Sequence, residues 1–152
     1  MLEKILELRG VDESFLYPTN PNHSATMFKN YDKASKLLVN HLNAGSKIFI
    51  SYDVDIDGFV SGTIVLKFLE MLKDVYDISV KPMYHKRKDG HGIKYQFSQI
   101  DSDEGLVIIV DSSSNDSKDC KLLKDRGLDI LAASTDHDPL GKGLSESVIL
   151  RT

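Results

Sequence analysis

The chain has little of what would cross-link it or anchor it in a membrane. Of its 152 residues one is a cysteine, Cys120, and none is a tryptophan. A single thiol excludes a disulfide framework within the chain and a cysteine-based zinc site. No apolar run approaches the roughly 20 residues of a membrane-spanning helix. The start of the chain, MLEKILELRG, also lacks the basic and apolar regions of a signal peptide. These absences predict a cytoplasmic protein with no membrane partner.

An excess of positive charge is also missing. The chain carries 19 Lys and Arg against 23 Asp and Glu, a formal charge of −4. This balance argues against a protein that coats nucleic acid through backbone phosphates alone. It is compatible with an enzyme that holds nucleic acid through metal ions and one basic patch. With 41% apolar and 28% charged residues, the composition is that of an ordinary one-domain globular protein.

What the sequence does have is a dense acidic motif. In the segment KIFISYDVDIDGFVSG, Asp53, Asp55 and Asp57 follow an apolar, β-branched run and precede Gly58. Along an extended strand, residues two apart share a face, so the three carboxylates would converge. Converging carboxylates repel one another, and a hard divalent cation such as Mg²⁺ or Mn²⁺ relieves that repulsion. The motif therefore predicts a metal site.

Other interpretations fit part of this motif. An EF-hand loop also begins DxDxDG, but it requires Glu at its twelfth position, where this chain has Ile64. An acidic turn without a ligand would leave the repulsion unrelieved. A nucleophilic Asp55 or Asp57 that forms an aspartyl-phosphate stays open, although the segment IDGFV lacks the Thr expected in haloacid dehalogenase-type phosphatases.

Helical and extended segments alternate along the chain. Apolar spacing predicts helices over 31–43, over 61–75 and from the segment SSSND to 126. Apolar, β-branched runs predict strands over 47–52, 77–84, 105–110 and 128–134. This alternation predicts an α/β fold of three layers, a mainly parallel, doubly wound sheet with helices on both faces. Residues 1–30, rich in Pro and Asn turns, are interpreted as an irregular arm that packs on a domain formed by residues 31–152.

Further acidic residues stand where the predicted strands end. Asp111 follows the third strand, and Asp136, His137 and Asp138 follow the fourth. The carboxyl ends of parallel strands lie at one edge of the sheet, where open α/β folds bind ligands. We therefore expect these side chains to meet the first acidic motif in one pocket.

A basic, glycine-containing loop, HKRKDGHG, follows the second predicted strand. Arg87 can bind a phosphate in bidentate geometry, and Gly90 and Gly92 would let the backbone approach a substrate closely. A solvated charge run is the alternative interpretation of this loop. It is the second candidate region for substrate contacts.

The segments DVDIDG, IIVDSSSND and STDHDP resemble, in this order, the three successive motifs of the DHH phosphoesterase family. The segments LELRGVDESFLYPTNP and PMYHKRKDGHGIKYQF further resemble RecJ-type single-strand exonucleases. The resemblance implies a DHH-type domain and a phosphodiesterase that uses two Mn²⁺ or Mg²⁺ ions. Its implied substrate is single-stranded DNA or short oligonucleotides, and its setting is DNA repair and recombination.

The resemblance also implies roles for individual residues. The metal ions would be held by Asp53, Asp55, Asp57, Asp111, Asp136 and His137. The catalytic members of this set would be Asp55, Asp57, Asp111 and His137. Substrate contacts would come from Arg87, Gly90, His91, Gly92 and Asp138. His91 stands where the RecJ pattern more usually has Tyr.

Two departures from the family pattern leave the activity open. Asp138 replaces the second His of the DHH signature, and a carboxylate there would repel a phosphate unless protonated or metal-bound. The family also has a fourth Asp ligand and a substrate-binding domain downstream, whereas this chain stops 14 residues after Asp138. We therefore expect a domain incomplete at its carboxyl end. The alternative to an exonuclease is a non-catalytic or truncated DHH-fold module that binds nucleic acid or a protein partner.

Overall fold

Five parallel strands form the centre of the fold in the computed structural model, which describes residues 2–11, 17, 24–111, 116–133 and 148–150. The strands are β1 Lys47–Tyr52, β2 Ser79–Met83, β3 Gly105–Val110, β4 Leu128–Ala133 and β5 Val148–Leu150. Their order across the sheet is β2-β1-β3-β4-β5, and each pairs parallel to its neighbour. The predicted parallel sheet is confirmed. Strand β5 was not predicted.

Helices precede β1 and connect β1 to β2 and β3 to β4. They are α1 Leu2–Leu8, α2 Tyr31–Asn43, α3 Ile56–Leu72 and α4 Ser117–Asp125, with 3₁₀ segments at Ala25–Met27, Arg87–Asp89 and Ile93–Gln99. Helix α2 has the predicted bounds, and α4 ends at Asp125, one residue before the predicted end. Residues 112–115 of its predicted start lie outside the described residues. Helix α1 corrects the expectation that residues 1–30 are irregular throughout. The packing of these residues as an arm stays a prediction.

The start of α3 corrects a second expectation. Strand β1 ends at Tyr52, and the helix begins at Ile56, five residues before the start predicted from apolar spacing. Asp55 caps the helix, because its Oδ1 accepts a hydrogen bond from the Gly58 N–H at 3.0 Å. The three acids of the first motif therefore do not lie along one strand face. The first turn of the helix contains Asp57 and Gly58, which interrupt the apolar spacing, so this spacing marks only the later turns.

Apolar side chains cover both faces of the sheet. On one face, the helices α2 and α3 pack against alternate strand residues, including Ile48, Ile50, Leu106, Ile108 and Leu131. On the other face, α4 and the 3₁₀ segment Ile93–Gln99 pack against the intervening residues, including Phe49, Met83, Val107, Ile109 and Ile130. Every residue of β3 is buried, as expected for a strand covered on both sides. This confirms the predicted three layers.

The strand order creates a crevice at the carboxyl edge of the sheet. The chain passes from β1 to β2 on one side, whereas β3 lies on the other side of β1. In open parallel sheets, ligands bind at the point where the strand order reverses in this way. The first acidic motif follows β1 and Asp111 follows β3, so both acidic segments lie at this switch point.

Within the described ranges, none of the helices combines the length and the apolar character that crossing a membrane requires.

Candidate metal centre

Three carboxylates meet at the switch point. One oxygen each of Asp55, Asp57 and Asp111 lies within 4.8 Å of the other two. Asp55 is the cap of α3, Asp57 belongs to the first turn of that helix, and Asp111 directly follows β3. The structure therefore brings together three of the predicted site residues, through a helix start and a strand end.

Gly58 allows α3 to begin so close to the end of β1. A Cβ atom at this position would collide with the backbone carbonyl oxygen of Asp53. Glycine is therefore the residue that lets the acidic motif turn directly from strand into helix. The close approach explains why the DxDxDG motif ends in Gly.

The electrostatics of this group favour a bound cation. Burial raises the pKa of the Asp111 carboxyl, and the charges of Asp57, Asp55 and Asp53 raise this pKa further. Among the described residues, no Lys, Arg or His forms an ion pair with Asp55, Asp57 or Asp111. Three carboxylate oxygens without a protein counter-charge fit a hard divalent cation such as Mg²⁺ or Mn²⁺.

The backbone of Asp111 is also unusual. Its φ angle is 54°, in the left-handed region that non-glycine residues seldom adopt and that Asp and Asn tolerate best. Such conformations concentrate at functional sites, where the surrounding structure holds them in place. Here the left-handed residue ends β3, and its carboxylate lies beside those of Asp55 and Asp57 at the start of α3.

Asp53 contacts two histidines. Its Oδ2 lies 2.7 Å from His91 Nδ1, and its Oδ1 lies 3.4 Å from His85 Nε2. Burial alone would raise the pKa of Asp53, but the hydrogen bonds from the Val54 N–H and from His91 outweigh it and hold this pKa below its usual value. Asp53 is not one of the three acids whose oxygens converge within 4.8 Å. Its role as a metal ligand stays a prediction.

His85 and Gln96 were not identified from the sequence. Both are buried, and the Gln96 amide donates a 3.0 Å hydrogen bond to His85 Nδ1 and a 3.3 Å hydrogen bond to the Tyr52 carbonyl. With Nδ1 accepting, the neutral ring carries its proton on Nε2, towards Asp53. The 3.4 Å separation is long for a hydrogen bond, and His85 Nε2 has no other partner in the part of the chain that the structure describes. A buried histidine inside a basic loop has no periodic signal that would reveal it.

The basic loop is fixed to the site at two points. His91 binds Asp53, and the Ile93 N–H donates a 2.9 Å hydrogen bond to Asp116 Oδ2. Gly92, with a φ angle of 111°, passes so close to Asp116 that a Cβ atom would collide with its carboxylate. The predicted loop residues therefore lie beside the acidic motif, held by groups on either side.

A groove of about 650 Å³ opens next to the carboxylates. Arg87 lines it together with residues at the start of α3 and the turn before it, namely Val54, Asp55, Ile56, Asp57, Phe59 and Val60. The structure thus places the predicted phosphate-binding Arg in the same groove as two of the acids. Three predicted site residues, Asp136, His137 and Asp138, lie outside the described residues.

Comparison with known proteins agrees with this geometry. Two curated relatives are 31% identical to the chain over 136 residues: the SPbeta prophage-derived single-strand DNA-specific exonuclease YorK, so named, of Bacillus subtilis, and its counterpart in Bacillus phage SPbeta. The match covers 86% of this chain and 22% of either relative. The chain therefore spans about a fifth of the length of the curated relatives it matches. No protein-family model matches the chain.

Two solved structures share the fold. RecJ from Thermus thermophilus, in complex with Mn²⁺, aligns with a TM-score of 0.63 and 21% identity, over 86% of this chain and 18% of its own. A second structure, of exonuclease RecJ bound to manganese, aligns with a TM-score of 0.69 and 22% identity, over 86% and 33%. The sheet and its helices therefore have the α/β fold of these RecJ structures. The chain is related to RecJ-type proteins, as the motifs of the sequence predict.

Proposed function

We propose that this chain supplies the metal-binding part of a RecJ-like exonuclease acting on single-stranded DNA or short oligonucleotides. The observation that carries the proposal is the convergence of Asp55, Asp57 and Asp111 at the switch point of this fold, where no ion pair with a described residue balances their charge. The relatives named as single-strand DNA-specific exonucleases support the substrate class.

The residues fit a site for Mn²⁺ or Mg²⁺. The three converging carboxylates would hold the ions, together with the predicted ligands Asp53, Asp136 and His137. When bound, such ions activate a water molecule and neutralise charge that develops on a phosphoryl group. The contribution of the chain is to fix the carboxylates, through the helix cap at Asp55 and the left-handed turn at Asp111.

The groove supplies the substrate side of the proposal. Arg87 lines the groove that also contains Asp55 and Asp57, so its guanidinium can pair with a phosphate held at the metal centre. His91, between two glycines with positive φ angles, holds the loop on Asp53. Further substrate contacts are proposed for Gly90, Gly92 and Asp138.

The test is the release of nucleotides from 5′-phosphorylated single-stranded DNA in the presence of Mn²⁺. We expect release by the chain and none by the double variant Asp55→Ala, Asp111→Ala. The matched control is Asp101→Ala, Asp129→Ala, which removes two acids at the opposite edge of the sheet and should leave the release rate unchanged. Equal release by the site variant and the wild type would overturn the proposal.

A binding module without turnover is the second candidate. It is favoured by Asp138, which stands where the DHH signature has a second histidine. A carboxylate there would oppose the placement of the reacting phosphate at the metal centre, unless it is protonated or metal-bound, and so would impair hydrolysis more than binding of the rest of the strand. This candidate predicts that the chain binds Mn²⁺ and single-stranded DNA but releases no nucleotides. Restoration of release by Asp138→His would identify the carboxylate as the cause.

A further inference from the structure

We propose that the groove beside the carboxylates binds one unpaired nucleobase, which stacks on Phe59. The base would belong to the nucleotide whose phosphate lies at the metal centre. This inference rests on the proposed function and deepens it, because it assigns a binding site to the base of the substrate, which the metal centre does not hold.

The first observation is an apolar wall that the core does not use. Ile56, Phe59 and Val60 line the groove with relative exposures of 84%, 49% and 54%. Exposed apolar side chains are ordinary when they are scattered, but a cluster within a concave site marks a binding surface. Ile56 lies within the acidic motif, and Phe59 and Val60 directly follow it, so an apolar ligand group on these side chains would adjoin the metal centre.

The second observation is that Phe59 is held by a neighbouring ring. The rings of Tyr52 and Phe59 have centroids 5.4 Å apart and are inclined by 58°. This contact restricts Phe59, while about half of its surface remains exposed to the groove. A restrained aromatic ring loses little conformational freedom when a flat ligand stacks on it.

The third observation is the set of chemical groups that line the groove. Asp55 and Asp57 supply carboxylates, Arg87 supplies a cation, and Val54, Ile56, Phe59 and Val60 supply apolar surface. A nucleotide presents matching groups, with an anionic phosphate joined through a sugar to a flat, apolar base. The volume of about 650 Å³ lies in the usual range for small-molecule sites.

The geometry also indicates which nucleic acid fits. A base can stack on a protein ring only when its face is free, and bases within a duplex are already stacked and paired. The groove therefore favours single strands or frayed ends. Because every base has a π-face, stacking on Phe59 would select for an unpaired nucleotide with little preference for its identity.

The test compares Phe59→Ala with a matched control, Phe68→Ala. Phe68 lies on the same helix, has a similar exposure of 51%, and does not line the groove. Binding of a fluorescein-labelled oligothymidylate with non-hydrolysable phosphorothioate linkages would be measured by anisotropy in Mn²⁺. Loss of one base–aromatic stack should raise the Kd of Phe59→Ala by about 5- to 100-fold, whereas Phe68→Ala should bind like the wild type. Phe59→Trp should retain tight binding.

An abasic oligonucleotide separates stacking from other effects. With the bases removed from the two nucleotides at each end, the wild type should bind as weakly as Phe59→Ala binds the intact strand. Phe59→Ala should then show no further loss. The proposal is overturned if Phe59→Ala binds the intact strand like the wild type, or if the wild type does not bind that strand. It is also overturned if Phe59→Ala raises the Kd by the same factor for the intact and the abasic strand. Melting curves of each variant would confirm that the fold is intact.

The outcomes also separate this inference from the proposed function. If binding depends on Phe59 but no nucleotides are released from ordinary DNA, the base site is supported and the exonuclease activity is excluded. If nucleotides are released from ordinary DNA and Phe59→Ala leaves the Kd unchanged, the exonuclease activity is supported and the base site is excluded.

Discussion

The two edges of the same parallel sheet differ in whether their acidic side chains form ion pairs. Towards the amino ends of the strands, acids are matched by bases at short distances: Lys81 Nζ lies 2.9 Å from Asp101, Arg126 lies 3.1 Å from Asp103, and His41 lies 3.1 Å from Asp129. At the carboxyl edge, the three converging carboxylates have no ion pair among the described residues. Acids at the amino edge have their charge balanced within the protein, whereas the acids that face one another at the carboxyl edge offer their oxygens to a cation.

The pKa shifts express the same contrast. The hydrogen bond from Lys81 holds the pKa of Asp101 below its usual value. Burial and the neighbouring carboxylates raise the pKa of Asp111. The charged form is therefore stabilised at Asp101, near the amino edge, and opposed at Asp111, at the carboxyl edge.

The largest effect that would sharpen this comparison is stabilisation by metal. A cation that binds only the folded chain adds about 2.7 kcal/mol to the free energy of unfolding at a concentration 100 times its Kd. Mn²⁺ should therefore raise the melting temperature of the wild type and of Asp101→Asn, Asp129→Asn. It should leave that of Asp55→Asn, Asp111→Asn unchanged. An equal Mn²⁺-induced rise in both double variants would contradict the assignment of the metal to the carboxyl edge.

A smaller effect should come from the acid at the carboxyl edge that does have partners. His91→Leu removes the ring that binds Asp53, so the loop carrying Arg87 should lose one of its two fixed points. We expect the KM for an oligonucleotide to rise several-fold, with a smaller change in kcat. His91→Asn places an amide donor near the position of Nδ1 and should recover most of the wild-type KM. A similar KM in His91→Leu and the wild type would show that the contact does not position the loop.

The smallest expected effects are changes in the free energy of unfolding, and their signs should be opposite for substitutions at the two edges of the sheet. Without metal, Asp111→Asn should stabilise the chain, because the raised pKa means that the charged carboxyl opposes folding at neutral pH. Asn also tolerates the left-handed backbone of this position. Asp101→Asn should destabilise the chain slightly at pH 7, since its lowered pKa means that the charged form favours folding. Urea unfolding of both variants measures these differences.

The pH dependence supplies the check on the Asp101 variant. Its carboxyl contributes stability above its unfolded pKa, near 3.8, and this contribution disappears as pH falls through the lower, folded value. The difference between wild type and Asp101→Asn should therefore vanish under acidic conditions. A difference that persists there would show that the ion pair with Lys81 is not its cause.

Several elements could be predicted from the sequence because their signals are local. Strands β1 and β3 and helix α2 have the predicted bounds, and β2 and β4 agree within two residues. A strand buried on both faces needs a continuous apolar run, and a covered helix needs apolar residues at helical spacing. Helix α3 was predicted to begin late, because its first turn carries the acids and Gly58 in place of a regular apolar pattern.

The contacts of the site were harder to predict because they join distant parts of the chain. Asp53 and His91 are 38 residues apart, and Gln96 and Tyr52 are 44 residues apart. The sequence indicated that both Asp53 and His91 belong to the site, but not that they bind each other. Neither His85 nor Gln96 carried a signal, since a buried hydrogen bond depends on the surroundings that the fold creates.

By itself, the sequence determined which residues end the strands. The apolar runs of β1 and β3 contain no acid, so Asp53 and Asp111 come only where these strands have ended, and the spacing of DxDxDG placed two further acids close to Asp53. The tertiary structure alone decided which ends are neighbours. Because β1 pairs with β3, Asp111 lies beside Asp55 and Asp57. Because β1 also pairs with β2, the loop that follows β2 brings its histidines into contact with Asp53. That choice depends on packing between segments far apart in the chain, which no local pattern of residues specifies.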